Sequence, residues 1–290
     1  MSVRVQPSIY KEITMSDSSA INEILAGLET GQVIPYLGNG VWAAAITPPA
    51  HPADHLQLVA KLTERVTVSH KLRKNLTGAA QYIENFKHRK TLVGLMKTAF
   101  EGKSVPSEFH EFIASLHKLP LVVDAWYDDA MQLALAQHPD WGQVQGVSQA
   151  EHQGEWVHYY TAQGELTDAP TAAQWQTLLY RPLGSSSPAN NYIVSDSDYV
   201  EILTEIDIQT PIPEIVQQRR VGKNFLFIGC RFAYQLDRIF ALQIMKRSSE
   251  KHWALIEGEL TRNEERFMKE QNITRLDMPM SVLLQQEVTY

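Results

Sequence analysis

Buried-looking apolar runs alternate along the chain with segments whose apolar residues recur at helical spacing. "SDSSAINEILAGLETG" predicts a helix: serines offer N-caps, Ile21, Ile24, Leu25 and Leu28 share one face, and Gly31 ends it. "VIPYL" follows as a buried strand bounded by glycines. From about 50 to 117 the spacing is helical throughout, in "ADHLQLVAKLTERV", "TGAAQYIENF", "KTLVGLMKTAF" and "PSEFHEFIASLHKL", which predicts an inserted helical layer.

A second buried strand, "LPLVVDAW", precedes a helix in "DDAMQLALAQH". Residues 138–175 are polar, with a strand readable in "EWVHYYTA" and the next in "QTLLYRPLG". Helices follow in "SDSDYVEILTEI" and "PEIVQQRR". The strands "NFLFIGC", "HWALIEG" and "ITRLDM" then alternate with the helices "FAYQLDRIFALQIMKR", "ELTRNEERFMKEQ" and "PMSVLLQQEV". Strands alternating with helices predict an α/β, Rossmann-like fold with a mainly parallel sheet. Residues 1–17 read as a flexible leader and 18–290 as one domain, with residues 50–117 as its helical insertion.

Composition narrows the function classes. A 44% hydrophobic and 20% charged chain of 290 residues can bury a sizeable core. The net charge of −7, with no long basic run, speaks against nucleic acid as the main partner. No apolar stretch approaches the ~20 residues of a membrane span, and residues 1–20 lack a signal-peptide core, so a cytoplasmic protein without a membrane partner is expected. Cys230 is the single cysteine, which excludes an internal disulfide and a four-cysteine zinc module. The ten histidines form no HExxH-type pattern, and no metal site is expected from them.

The turn "GNG" after the first strand has two readings. Gly38 and Gly40 let the backbone approach a diphosphate, or they satisfy a tight turn alone. The later strand ends, "VVDAWYDDAMQLAL", "LLYRPLGSSSPANNYIVSDSDYVEIL" and "FLFIGCRFAYQLDRIF", come with it in an order that resembles the sirtuin-like domains of the zinc-free prokaryotic type. Those domains show GAGVS, TTNYD(D/N), KLHGS with a (T/S)xxDY segment, and a GYSLxD-like turn, and the resemblance spans most of residues 18–287.

The resemblance implies a site for NAD or an ADP-ribose-like nucleotide. It places Gly38, Asn39, Gly40, Trp42, Trp126, Tyr127, Gly184, Ser185, Gly229 and Cys230 at the ligand, with Phe232 close by. Active relatives break the nicotinamide–ribose bond. Here the chemical groups differ: Trp126 stands at the ribose-contacting asparagine, Leu183 at the general-base histidine, Trp42 at a serine, and Asp124 and Ala125 at the two threonines. Leucine accepts no proton and indole offers no acceptor. Asp124, Asp128 and His158 are the candidate replacements, with ordinary readings as a strand-end turn, a helix N-cap and a solvated histidine.

The expectation is a catalytically degenerate, nucleotide-binding or interaction module. A divergent NAD glycohydrolase and a ligand-free domain whose tryptophans fill the cleft are the alternatives. The partner is a nucleotide, an unidentified protein or both, and an oligomer is compatible with the sequence. "KLRKNL" and "FKHRK" read as solvated basic faces, and His110 as a structural histidine.

Overall fold

The computed structural model describes residues 15–102, 104–205 and 212–285. The leader assigned to residues 1–17 falls mainly outside the described residues; from Met15 the chain is already helical. Helix α1 (Met15–Glu29) buries Ile21, Ile24 and Leu28, and Gly31 turns the chain into β1 (Val33–Leu37). A 3-10 turn, Asn39–Ala44, leads to α2 (His55–Thr63), α3 (Leu76–Lys87), α4 (Arg89–Ala99) and α5 (Glu108–Ser115). Next come β2 (Leu121–Asp124), α6 (Ala130–Ala134), β3 (Trp141–Gly146), β4 (Val157–Thr161), β5 (Leu166–Thr167) and α7 (Ala169–Ala172). The chain continues through β6 (Thr177–Arg181), β7 (Gly184–Ser185), β8 (Asn191–Tyr192), α8 (Asp196–Glu205) and α9 (Glu214–Arg219). It closes with β9 (Asn224–Ile228), α10 (Gln235–Met245), β10 (His252–Leu255), α11 (Arg262–Glu270) and β11 (Ile273–Leu276). Where a final helix was expected, the described part is a 3-10 turn, Met280–Leu284.

Nine strands form one sheet in the order β11-β10-β9-β1-β2-β6-β3-β4-β5, parallel except for the antiparallel β4 and β5, while β7 and β8 pair separately. The α/β, mainly parallel architecture is as expected. Both faces of the sheet are covered. On β1, Val33 and Leu37 join one apolar cluster and Ile34 and Tyr36 the other; on β9, Leu226 and Ile228 oppose Phe225 and Phe227. This two-sided burial explains why the strands read as continuous apolar runs.

The 50–117 block divides between the two faces. Helices α2, α3 and α4 pack on one side, but Phe109 and Ile113 of α5 join α1 on the other, so α5 is not part of the inserted layer. Pro35 also has a readable consequence. Gly38 N–H points to β9 and Leu37 O receives an amide from the β2 side, so odd positions of β1 face β2. The donor that proline lacks faces β2, and the β1–β2 register starts only at Tyr36↔Val123.

The chain runs from β1 to β2 on one side, while β9 lies on the other side of β1. The carboxyl ends of β1 and β9 therefore flank a topological switch point, where open parallel sheets hold ligands. Among the described residues, no helix is long and apolar enough to cross a membrane.

Candidate functional site

At that switch point lies a two-part cleft. An inner hollow of about 40 Å³ has room for a few waters and is lined by Tyr36, Gly38, Asn39, Ala125, Leu183 and Cys230, among others. An outer hollow of about 310 Å³ is bounded by Lys74, Asn75, Leu76 and Thr77 at the start of α3 and by Tyr234 and Leu236 near α10. His55, Tyr199 and Asp237 line both. The outer volume is at the lower end of the roughly 300–1,000 Å³ of ligand pockets.

The glycines at the strand ends serve the close approach of two turns. Gly229 sits at φ +66°, and a Cβ there would lie 2.2 Å from Val41 N. Gly40 N–H donates to Gly229 O and Gly38 N–H to Ile228 O, both at 2.9 Å, while Val41 N–H donates to Gly38 O at 3.2 Å. Both glycine amides of the GNG turn, and that of Val41 after it, are thus engaged inside the protein. Gly38 and Asn39 still face the inner hollow, but the turn's donors are largely used in joining β1 to β9.

The tryptophans point elsewhere. Trp42 is buried and donates its indole N–H to Asp128 Oδ2 at 2.9 Å. Trp126 donates to Pro52 O at 3.1 Å and packs between the rings of His55 and Phe100 under the helical layer. Neither lines the cleft; Ala125 does. Tyr127 is buried and donates to Ile193 O at 2.8 Å.

Asp124 and Asp128 belong to a buried polar cluster rather than to the cavity wall. Asp128 Oδ1 accepts Ala130 N–H at 2.8 Å, at the start of α6, which leaves Oδ2 for Trp42. Asp124 Oδ2 lies 3.3 Å from Nη2 of the fully buried Arg181. Burial raises the Asp124 carboxyl well above the usual range, against the pull of Arg181. Gly184, at φ +77°, and Ser185 stitch the next turn to the β2–α6 connection, where Ser185 Oγ donates to Asp128 O at 3.3 Å. His158 lies on β4, bonded to Glu155, and does not reach the cleft.

The sequence patterns missed two groups that do line both hollows. His55 sits at the start of α2, and burial lowers its pKa. Asp237, in the first turn of α10, is pushed by burial up to about 7, with Arg238 pulling it back. Its fractional exposure is intermediate, so the carboxyl is shielded but reachable. The Asp237 signal was an acidic residue late in the fourth strand-end stretch, beyond its glycine turn; nothing local marked His55. Lys74, from a run read as a solvated face, borders the outer hollow. Arg89 of the second basic run is likewise engaged, 2.8 Å from Asp198 and 3.1 Å from Glu151. His110 caps α5 through Ser107, with its ring against Trp42.

Residues 120–276, more than half of the chain, match the family model described as the SIR2-like domain. No curated protein matches the chain. The matched region begins just before β2 and includes every strand end of the site except that of β1. SIR2-like domains are associated with NAD-related ligands. With its mainly parallel sheet and its cleft at the β1–β9 switch point, the chain belongs to the SIR2-like domain family.

Proposed function

We propose that the switch-point cleft binds an NAD- or ADP-ribose-type nucleotide without cleaving it, and that the bound nucleotide regulates an interaction of this protein. The observation that carries this is Leu183, whose side chain lies on the wall of the inner hollow at the position of the family's general base. A hydrocarbon there leaves the ribose hydroxyls without a proton acceptor. The cleft itself is retained, because the two tryptophans that could have filled it pack outside it. Phosphate charge is supported at the outer hollow, by Lys74 and the start of α3, rather than by the engaged amides of the glycine turn.

Asp237 favours a second reading, a divergent glycohydrolase. In it, the Asp237 carboxylate takes a proton from a water that attacks the ribose C1′, and nicotinamide leaves with the electrons of the broken C–N bond. A thermal-shift series with NAD, ADP-ribose and AMP, paired with chromatographic detection of nicotinamide, separates the two. Stabilisation by ADP-ribose with no nicotinamide released is the expected result. A ligand at a hundredfold excess over Kd adds about 2.7 kcal/mol to the folded state. Release of nicotinamide that is lost in Asp237→Asn establishes the second reading instead. No shift with any nucleotide removes both.

A further inference from the structure

We propose that His152, Glu155 and His158 form a binding site for a zinc-class divalent cation, separate from the nucleotide cleft. One donor atom from each lies within 4.8 Å of the others. The rings of His152 and His158 stand 4.6 Å apart and nearly perpendicular, so their nitrogens can converge without stacking. His158 Nε2 lies 2.7 Å from Glu155 Oε2. That contact accounts for two members of the group but not for a second imidazole beside them.

The backbone preorganises the set. His152 and Glu155 flank a turn in which Glu155 N–H donates to His152 O at 2.9 Å, and Gly154 takes φ +86° at its tip. Gln149 holds the C-terminal end of this turn, receiving Gly154 N–H at 2.9 Å and donating to Glu155 O. His158 enters from β4, paired with Gln145 of β3, so its backbone is fixed by the sheet. Its other nitrogen, Nδ1, lies 3.3 Å from Tyr160 Oη, which accepts from Asn191 Nδ2 at 2.9 Å. An outer partner of this kind orients a ligating imidazole and leaves Nε2 for the metal.

Two imidazoles and one carboxylate suit zinc and its first-row neighbours rather than magnesium or calcium, which prefer oxygen donors. Ligand bonds of roughly 2.0–2.2 Å need tetrahedral donors about 3.4 Å apart. The exposed Glu155 and the turn-borne His152 can reach that spacing by side-chain rotation. The cation replaces the proton that the His158–Glu155 contact otherwise requires, and it ties the β3–β4 turn to β4. The adjacent Glu151 pairs with Arg89 at 3.1 Å, so the same turn meets the helical layer.

The test is calorimetric titration of the tag-free, chelator-treated full chain with zinc chloride, and with magnesium chloride as the contrast. One zinc ion per chain is expected, with at least a hundredfold weaker binding in His152→Gln/His158→Gln and unchanged binding in Cys230→Ser. The exposed Glu155→Ala provides a second variant, expected to weaken binding about tenfold. Thermal unfolding without metal checks that each variant is folded, and zinc should raise the wild-type Tm but not that of the double variant. Absence of zinc binding by the wild type, or equal binding by the folded variants, overturns the site. Equal affinity for magnesium overturns its assignment to a zinc-class ion.

Discussion

Trp42 illustrates how a single side chain can be misplaced by motif position alone. The sequence puts it where the family has a serine beside the nucleotide, but its indole N–H satisfies Asp128 inside the protein. Both Asp128 oxygens then have donors, which is what a carboxylate needs when nearly all of it is buried. Trp42→Phe keeps an aromatic side chain but removes the donor and the indole's second ring, so it should destabilise the fold by at least about 1–3 kcal/mol. Urea unfolding checks this through a lower midpoint at an unchanged m-value. A loss below roughly 0.5 kcal/mol would show that Asp128 finds another donor. Asp237 and Leu183 are opposite cases: one brings a carboxyl to the cleft wall outside the residues expected at the ligand, and the other brings apolar surface to the position of an expected base.

Among the elements, β1, β2, β6, β9 and β10 were legible because central parallel strands are apolar on both faces. Phe227 of β9 is fully buried between Tyr36 and Phe232, with ring centroids 5.1 and 5.2 Å away. Phe227→Ala should therefore cost about 3–5 kcal/mol, measured as the shift of the unfolding midpoint. Strand β3 was hidden by its composition. "WGQVQG" is fully buried, yet Gln143 and Gln145 give it a polar reading. Their amides are satisfied by each other and by neighbouring elements: Gln143 Nε2 donates to Gln132 Oε1, and Gln145 Nε2 to Gln143 Oε1 and Ser187 O. Its glycines admit the Trp175 ring and Pro182 O at distances that exclude a Cβ. Apart from the Gln145–Gln143 contact within the strand, these partners come from other elements, so periodicity could not find the strand. Helix α5 shows the same limit: its amphipathic spacing was plain, but the face of the sheet it covers depends on the path of the whole block.

For the molecule as a whole, buried ionisable groups couple stability to pH in opposite directions. The folded protein holds a proton on Asp237 up to a pKa of about 7, whereas the unfolded chain releases it near 3.8. Its contribution is complete below about pH 4 and is lost as the pH rises to 7. His110 and His252, held by burial down to about 4, contribute with the opposite sign, gaining as the pH rises towards 6.5. Comparing Asp237→Asn with wild type cancels the histidines. The variant should gain relative stability from pH 4 to 7, on the order of 2 kcal/mol after allowing for solvent reaching the carboxyl. Denaturant titrations at pH 4, 5.5 and 7 read this difference, and a pH-independent difference would place the Asp237 carboxyl in free solvent.

The sequence by itself determined the alternation of strands and helices and the order of strand-end turns by which the chain resembles its family. These are local properties, carried by periods of two and 3.6 residues and by short motifs. Only the tertiary structure decided that Trp42 and Trp126 pack outside the cleft, that His55, Lys74 and Asp237 meet around it, and that Arg181 is buried beside Asp124. The sheet order creates those neighbours. It brings the ends of β1 and β9 together across most of the chain's length, and no local pattern records which side chains such a crossing places face to face.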